Sequence, residues 1–251
     1  MSTNGEELVH LEIADAVATV TLDSPANRNA LSSRLMADLT DQLDAAAADD
    51  SVRVVLIRSS GPVFCSGADM REAIDEGMEH GARSLVALQR QIVALPVPVV
   101  VRLDGPVRAG GLGLVGAADV VVAEDAVTFA LTEVRLGLAP AVISLTLLPR
   151  MTSRAAAAAA LSGAELDAAQ AVTAGLVTTT VPKAELDAAV EAVVSGFRQG
   201  TRQGLRETKA LLNAVLLARI DELGEEMART SAELFASDEA RAAMRAFLDR
   251  S

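Results

Sequence analysis

Two stretches of this chain carry residues whose types and spacing suit chemistry at a carbonyl group. The first is Gly105-Pro106-Val107-Arg108-Ala109-Gly110-Gly111-Leu112-Gly113, and the second is Thr132-Glu133-Val134-Arg135-Leu136-Gly137-Leu138-Ala139-Pro140. Gly110 and Gly111 stand where a short helix begins, so their backbone N–H groups have no partner inside that helix. A helix start also favours negative charge. Amide donors followed by one acid, Glu133, fit a reaction that builds charge on a carbonyl oxygen while a proton moves nearby. A two-point oxyanion hole needs a second donor from elsewhere. The loop Phe64-Cys65-Ser66-Gly67-Ala68-Asp69-Met70 is the candidate, because Gly67 lets the chain turn sharply before a helix.

The same glycines also match a dinucleotide fingerprint, Gly111-Leu112-Gly113-Leu114-Val115-Gly116. Spacing argues against it. A dinucleotide fold needs a crossover helix of about ten residues and a ribose-binding acid about 20 residues beyond the glycines. Between Gly116 and Val120 there is almost no room for that helix, and Asp125 comes too early.

The elements that must position these residues read as an α/β pattern. Leu8 to Ile13 and Val17 to Leu22 alternate around Asp15 as a hairpin-like strand pair. Ser24 to Asn29 is a loop, and Ser32 or Ser33 can cap a helix running to about Ala48 with Leu35, Leu39 and Leu43 on one face. Val52 to Ile57 and Val97 to Leu103 are buried strands, with a polar, mobile segment expected over Arg71 to Gly81 and a helix over Arg83 to Leu95. The segment from Arg71 to Arg90 is expected to line a pocket beside these residues. A short helix is expected over Gly110 to Ala118, then brief strands over Val120 to Ala123 and Val127 to Leu131. Beyond Pro140 almost everything reads as helical: Thr152 to Leu161 with its alanine run, then Ala184 to Gln199, Arg202 to Ala218 and Asp221 to Phe235. Alternating strands and helices before residue 140 imply crossover units. A soft boundary near 195 divides a core, residues 1–195, from a C-terminal helical region, residues 196–251.

Composition narrows the classes. A net charge of −12 repels phosphate backbones, so no nucleic-acid partner is expected. No apolar run reaches the roughly 20 residues of a membrane helix, and Glu6 and Glu7 stand where a signal peptide would be basic and then apolar. A cytoplasmic protein without a membrane partner is the expectation. Cys65 is alone, which leaves no intrachain disulfide or Cys-based zinc site, and no metal is expected. With only His10 and His80 available as imidazole bases, a hydrolytic triad has little to draw on.

The residues carrying this chemistry resemble those of the crotonase (enoyl-CoA hydratase/isomerase) superfamily along nearly the whole chain. Asn27-Arg28-Asn29-Ala30-Leu31-Ser32 resembles the family's early CoA-contacting loop, and Phe64 to Met70 its first oxyanion loop. Gly105 through Asp119 resembles the second oxyanion loop, and Glu133 to Pro140 the catalytic-glutamate segment. Leu161-Ser162-Gly163 and Ala174-Gly175-Leu176-Val177 resemble the lead into its C-terminal helices. The resemblance implies an α/β fold, a crotonase-like spiral of ββα units with a C-terminal helical region that builds trimers, often paired into hexamers. It implies that the amides of Ala68 and Gly110 bind a thioester carbonyl oxygen and that Glu133 moves the proton. Coenzyme A would enter as part of the substrate, with no separate cofactor, and its contacts would fall on Arg28, Ala30, Ser66, Ala68, Asp69 and Met70.

One departure matters. The family's hydratases hold water between two glutamates, and the first of these positions is Gly113 here. Double-bond isomerisation needs only one base, which Glu133 alone could supply. Against that, Gly111 to Val115 together with Leu131 to Ser144 is most similar to a methylglutaconyl-CoA-type hydratase subgroup whose members also have glycine at the first acid position. The implied activity is hydration of a 2-enoyl-CoA. Δ3,Δ2-isomerisation and a catalytically weak acyl-CoA-binding role are the alternatives. Arg135 is expected in an ion pair, structural or between subunits, rather than on an acidic acyl group. Asp69, Glu72 and Asp75 are read as helix-start residues rather than as substitute acids.

Overall fold

Strand β1 (Val9–Ala14) reverses into β2 (Val17–Leu22) through Asp15 and Ala16, both at positive φ, 48° and 63°. Two consecutive left-handed residues give the tight turn whose twist matches an antiparallel pair. The computed structural model describes residues 7–248; Met1 to Glu6, part of the acidic N-terminal stretch, and Asp249 to Ser251 lie outside the described residues. After β2 come α1 (Ser33–Ala48), β3 (Val54–Ser59), α2 (Met70–Asp75), α3 (Glu79–Ala94), β4 (Val99–Leu103) and β5 (Val107–Arg108). Next are α4 (Gly111–Ala117), β6 (Val120–Glu124), β7 (Thr128–Ala130), α5 (Ser144–Arg150), α6 (Ser153–Ser162) and β8 (Glu165–Asp167). The chain continues through α7 (Ala168–Ala174), β9 (Thr179–Val181), α8 (Leu186–Arg198), α9 (Arg202–Ala236) and α10 (Asp238–Leu248).

The main sheet runs β1-β2-β3-β4-β6-β9, parallel from β2 onward, so each crossover advances the chain one strand along it. A smaller sheet, β5-β7-β8, forms from the intervening short strands. Buried parallel strands need apolar residues on both faces. Val54, Val55, Ile57, Val99, Val100 and Val101 are all fully buried. One face packs on the main core, while Val54, Val100 and Val122 meet Leu186, Val190 and Val194 of α8. The architecture is a mixed α/β fold with a C-terminal helical region, as the crotonase resemblance implies.

Ser32 caps α1, its Oγ accepting the Leu35 amide at 3.2 Å, and Leu35, Leu39 and Leu43 line the buried face. Three expectations need correction. The polar segment from Arg71 to Gly81 is largely helical: Asp69 caps α2 through the amides of Arg71 and Glu72, and Gly77, at φ 83°, separates α2 from α3. The two helices expected between Arg202 and Phe235 are one continuous α9, because Leu216, Ile220, Gly224 and Ala228 keep one buried face across the expected break. The largely helical reading beyond Pro140 omits β8 and β9, which are three residues each and defined by pairing rather than periodicity. The boundary near 195 falls inside α8; that helix ends at Arg198, and α9 starts at Arg202.

Helix α9 is fastened across α3. Lys209 Nζ, almost fully buried, pairs with Asp119 Oδ2 at 2.8 Å and donates to the Ile92 and Val97 carbonyls. Asn213 Nδ2 donates to Asp119 Oδ1 at 2.9 Å. Among the described residues no helix is long and apolar enough to cross a membrane.

Candidate active site

Three loops converge at the ends of the central strands. The loop before α2 is stitched on one side to the stretch after β4: Phe64 N–H donates to Pro106 O and Arg108 N–H to Cys65 O, at 3.1 and 2.9 Å. On the other side Ser66 N–H donates to Arg28 O, and Leu31 N–H to Gly67 O, at 3.1 and 2.8 Å. Arg28 and Asn29 sit at φ 52° and 51°, a costly backbone for side-chain-bearing residues. Asn29 holds that conformation. Fully buried, it accepts the Ser24 amide at 2.7 Å and donates to the carbonyls of Ser60 and Val63 at 3.1 and 2.9 Å.

Between these clamps the amides of Ala68 and Gly110 come together. A Cβ built on Gly110 would lie 3.5 Å from the Ala68 nitrogen, and one on Gly67 would lie 3.4 Å from the Gly110 nitrogen. Gly67 has φ 97° and Ala109 has φ 45°, so the backbone is turned out of its ordinary range on both sides of the pair. Neither amide donates to another group among the described residues. Gly111 packs against Cys65: a Cβ there would lie 2.9 Å from Sγ, and burial pushes the thiol up to about 12. Cys65 is a small, fully buried packing residue.

Both amides line a single cleft. Much of its wall is apolar: Met70, Leu85, Leu138, Phe235 and Met244 among others. The polar side chains on it are Ser66, Thr132, Glu133 and Ser231. Glu133 opens the 3-10 turn Glu133–Leu136 just after β7, and Gly137 at φ 68° ends that turn. Glu133 is 9% exposed as a residue, and its Oε2 is buried without a hydrogen-bond partner. Loss of solvent favours the neutral form and pushes the carboxyl up to about 7, its own backbone amide acting the other way. A group titrating there can both take and give a proton near neutral pH.

The position of the missing second acid is filled. A Cβ on Gly113 would stand 2.9 Å from Ile143 Cγ2 and 3.2 Å from Gln89 Oε1. Gln89 is fully buried, accepting Thr146 Oγ1 at 2.6 Å and donating to Leu85 O at 3.2 Å. No longer side chain fits at Gly113 without displacing this cluster.

The family model for enoyl-CoA hydratase/isomerase matches residues 12–251. The chain belongs to that family. Among solved crotonase structures, an enoyl-CoA hydratase from Mycobacterium avium is 46% identical, with 98% of each chain covered and a TM-score of 0.91. A Thermus thermophilus protein bearing an enoyl-CoA hydratase name is 36% identical over 172 residues, 66% of this chain and 68% of the relative. Human enoyl-CoA hydratase domain-containing protein 3, a mitochondrial protein, is 30% identical over 68% of this chain; the match spans 58% of the human protein, less than two thirds of its length.

Within this crotonase chain the residues singled out in the sequence divide by position. Ser66, Ala68, Met70, Gly110 and Glu133 all line the one cleft. Arg28 is exposed on the neighbouring loop, and Ala30 is buried beneath it. Asp69 lies outside the cleft lining; its carboxylate is engaged as the α2 cap and by Asn27 Nδ2 at 2.8 Å. Glu72 is likewise occupied, accepting the Ser33 amide and hydroxyl. Arg135 is exposed against Gly163 and forms no ion pair among the described residues. The expected acyl-pocket segment contributes Met78, Ala82 and Leu85. Asn29 stands inside the quoted Asn27–Ser32 motif, but its role as a buried clamp is not legible in it; Ser231, Phe235 and Met244, which α9 and α10 bring in from about a hundred residues away, carry no local motif. The amphipathic pattern of the last helices is the one signal for the latter group.

Proposed function

We propose that this chain is an acyl-CoA enzyme that adds water across the double bond of a 2-enoyl-CoA. The observation that carries the reading is the opening of two unpartnered amides, Ala68 and Gly110, onto the apolar cleft that also holds the buried Glu133 carboxyl. The thioester carbonyl oxygen accepts from both amides. Water adds to C3, and the π electrons move toward C1 as an enolate stabilised at that oxygen. Glu133 takes a proton from the water as the water oxygen bonds to C3 and gives that proton to C2 as the enolate collapses, so one carboxyl serves where other family members use two.

Coenzyme A belongs to the substrate. Arg28 supplies positive charge toward a CoA phosphate that the acidic chain otherwise repels. Backbone and side chains of Ala30, Ser66, Ala68 and Met70 shape the thioester channel, and Asp69 fixes it through the α2 cap. The assembly is a homotrimer or a dimer of trimers, which would cover the exposed Leu211, Leu212 and Val215 of α9.

The test is incubation with crotonyl-CoA, followed by mass spectrometry for the gain of one water, on wild type and Glu133→Gln. Absence of hydrated product with CoA binding intact overturns the reading. A second reading, Δ3,Δ2-enoyl-CoA isomerisation, is favoured by the filled position beside Gly113, since a proton shuttle between C4 and C2 needs one base only. It predicts conjugation of a 3-enoyl-CoA without a change in mass. Negligible turnover of both substrates, unaltered by Glu133→Gln, would instead support an acyl-CoA-binding role.

A further inference from the structure

The cleft carries information about what may be attached to the thioester. One wall is a continuous apolar cluster: Leu136 and Leu138 pack with Met244 of α10, against Met70, Leu234 and Phe235. Three of the side chains around the cleft are methionines, Met70, Met78 and Met244, whose flexible thioethers adapt to different hydrocarbon shapes. Among the described residues no Lys, Arg or His lines it. Five arginines are next in sequence to lining residues and all stay outside that lining: Arg71, Arg83, Arg135 and Arg245 are exposed, and Arg108 pairs with Glu165. The ionisable side chain that does line it is Glu133, an acid with one oxygen buried and unpartnered. Ser231 adds a neutral hydroxyl.

A second carboxylate in this space would give up its water without gaining a cation, and would lie beside the one acid of the cleft, whose ionised form repels it. An alkyl or alkenyl group would exchange water for methionine, leucine and phenylalanine contacts. We infer that the cleft selects acyl-CoA thioesters with uncharged, apolar acyl chains and rejects those ending in a carboxylate. The inference rests on the acyl-CoA reading above, and it runs against the subgroup likeness, which points to a carboxylate-bearing acyl group.

The discriminating comparison is a matched, unreactive pair. Pentanoyl-CoA and glutaryl-CoA differ only by a methyl group in place of a terminal carboxylate, and calorimetry reads their binding without any chemistry. Pentanoyl-CoA is expected to bind about 100-fold more tightly. Met244→Lys, which places a cation on the apolar wall, is expected to narrow that ratio at least tenfold. Equal affinities, or tighter binding of glutaryl-CoA to the wild type, overturn the inference. Failure of both ligands to bind at millimolar concentration overturns it together with the acyl-CoA reading. A pentanoyl preference without hydration of pent-2-enoyl-CoA supports the selectivity and overturns only the hydratase assignment. Should Met244→Lys fail to fold, the wild-type pair alone decides.

Discussion

A Cβ on Gly113 would lie 2.9 Å from Ile143 Cγ2, so the helix that begins at the Gly110 amide is packed directly against the segment leading into α5. Gly113→Glu therefore does not recreate a two-acid site. It is expected to lower stability by about 2 kcal/mol or more through overpacking, read as a fall in Tm, with no gain in hydration. Combining it with Ile143→Ala should recover part of the lost stability. A stable, more active single variant would contradict the packing account.

Gly67→Ala should be far more harmful than its size suggests. At φ 97° an alanine is strained, and its Cβ would stand 2.9 Å from the Ala109 Cβ and 3.4 Å from the Gly110 nitrogen. Displacing one amide of the pair is expected to reduce kcat roughly 100- to 1,000-fold. Steady-state kinetics on crotonyl-CoA, beside circular dichroism to check folding, reads the effect.

Glu133→Gln should reduce turnover by about 100- to 10,000-fold, measured at saturating substrate. It should also change how stability depends on pH. Because burial raises this carboxyl in the folded protein to about 7, the native state holds its proton more tightly than the unfolded chain does. The cost of the buried charge is absent below the ordinary carboxyl range and develops as pH rises through about 7. Relative to wild type, the glutamine variant is thus expected to gain roughly 2–3 kcal/mol between pH 4 and pH 8, read by urea melts at both. A difference that does not vary with pH would place the carboxyl in a more solvated setting.

Asn29→Asp keeps the shape of the side chain but loses the donors to Ser60 and Val63. With Arg28 and Asn29 both left-handed, the loop beside Ser66 and Gly67 should relax and carry the Ala68 amide with it. A stability loss of about 1–3 kcal/mol is expected, with kcat falling more than the affinity for coenzyme A changes. Affinity lost in step with kcat would mean that the loop serves binding alone.

Much of this was legible in the residues themselves, for identifiable reasons. The strand pair at β1 and β2, the cap at Ser32 and the glycine-rich turn follow from local backbone chemistry, which a short window of sequence contains. Glu133 and the two amide loops stand out because carbonyl chemistry needs few residue types in a fixed order. The blocking of Gly113 by Ile143 and Gln89 is not local. It depends on how α3 and the segment before α5 meet across the core, and Gln89 looks in sequence like any polar helix residue. The helical form of much of residues 71–81 was hidden for a similar reason: a polar stretch becomes helical once Asp69 caps it and Ala73 finds a core. Short β8 and β9 exist only through their partners, so no periodicity announces them.

Helix α9 spans about 50 Å at 1.5 Å per residue, fastened near one end by Lys209 and Asn213 and reaching the cleft with Ser231 and Phe235 near the other. The amides and the acid come from loops of the sheet core, whereas part of the apolar wall comes from this beam and the helix after it. Part of the proposed chain preference is thereby encoded apart from the chemistry, while Met70, Leu136 and Leu138 of the core supply the rest. Recombining the last fifty residues with those of another crotonase is a route to a new acyl range that leaves the reacting atoms where they are.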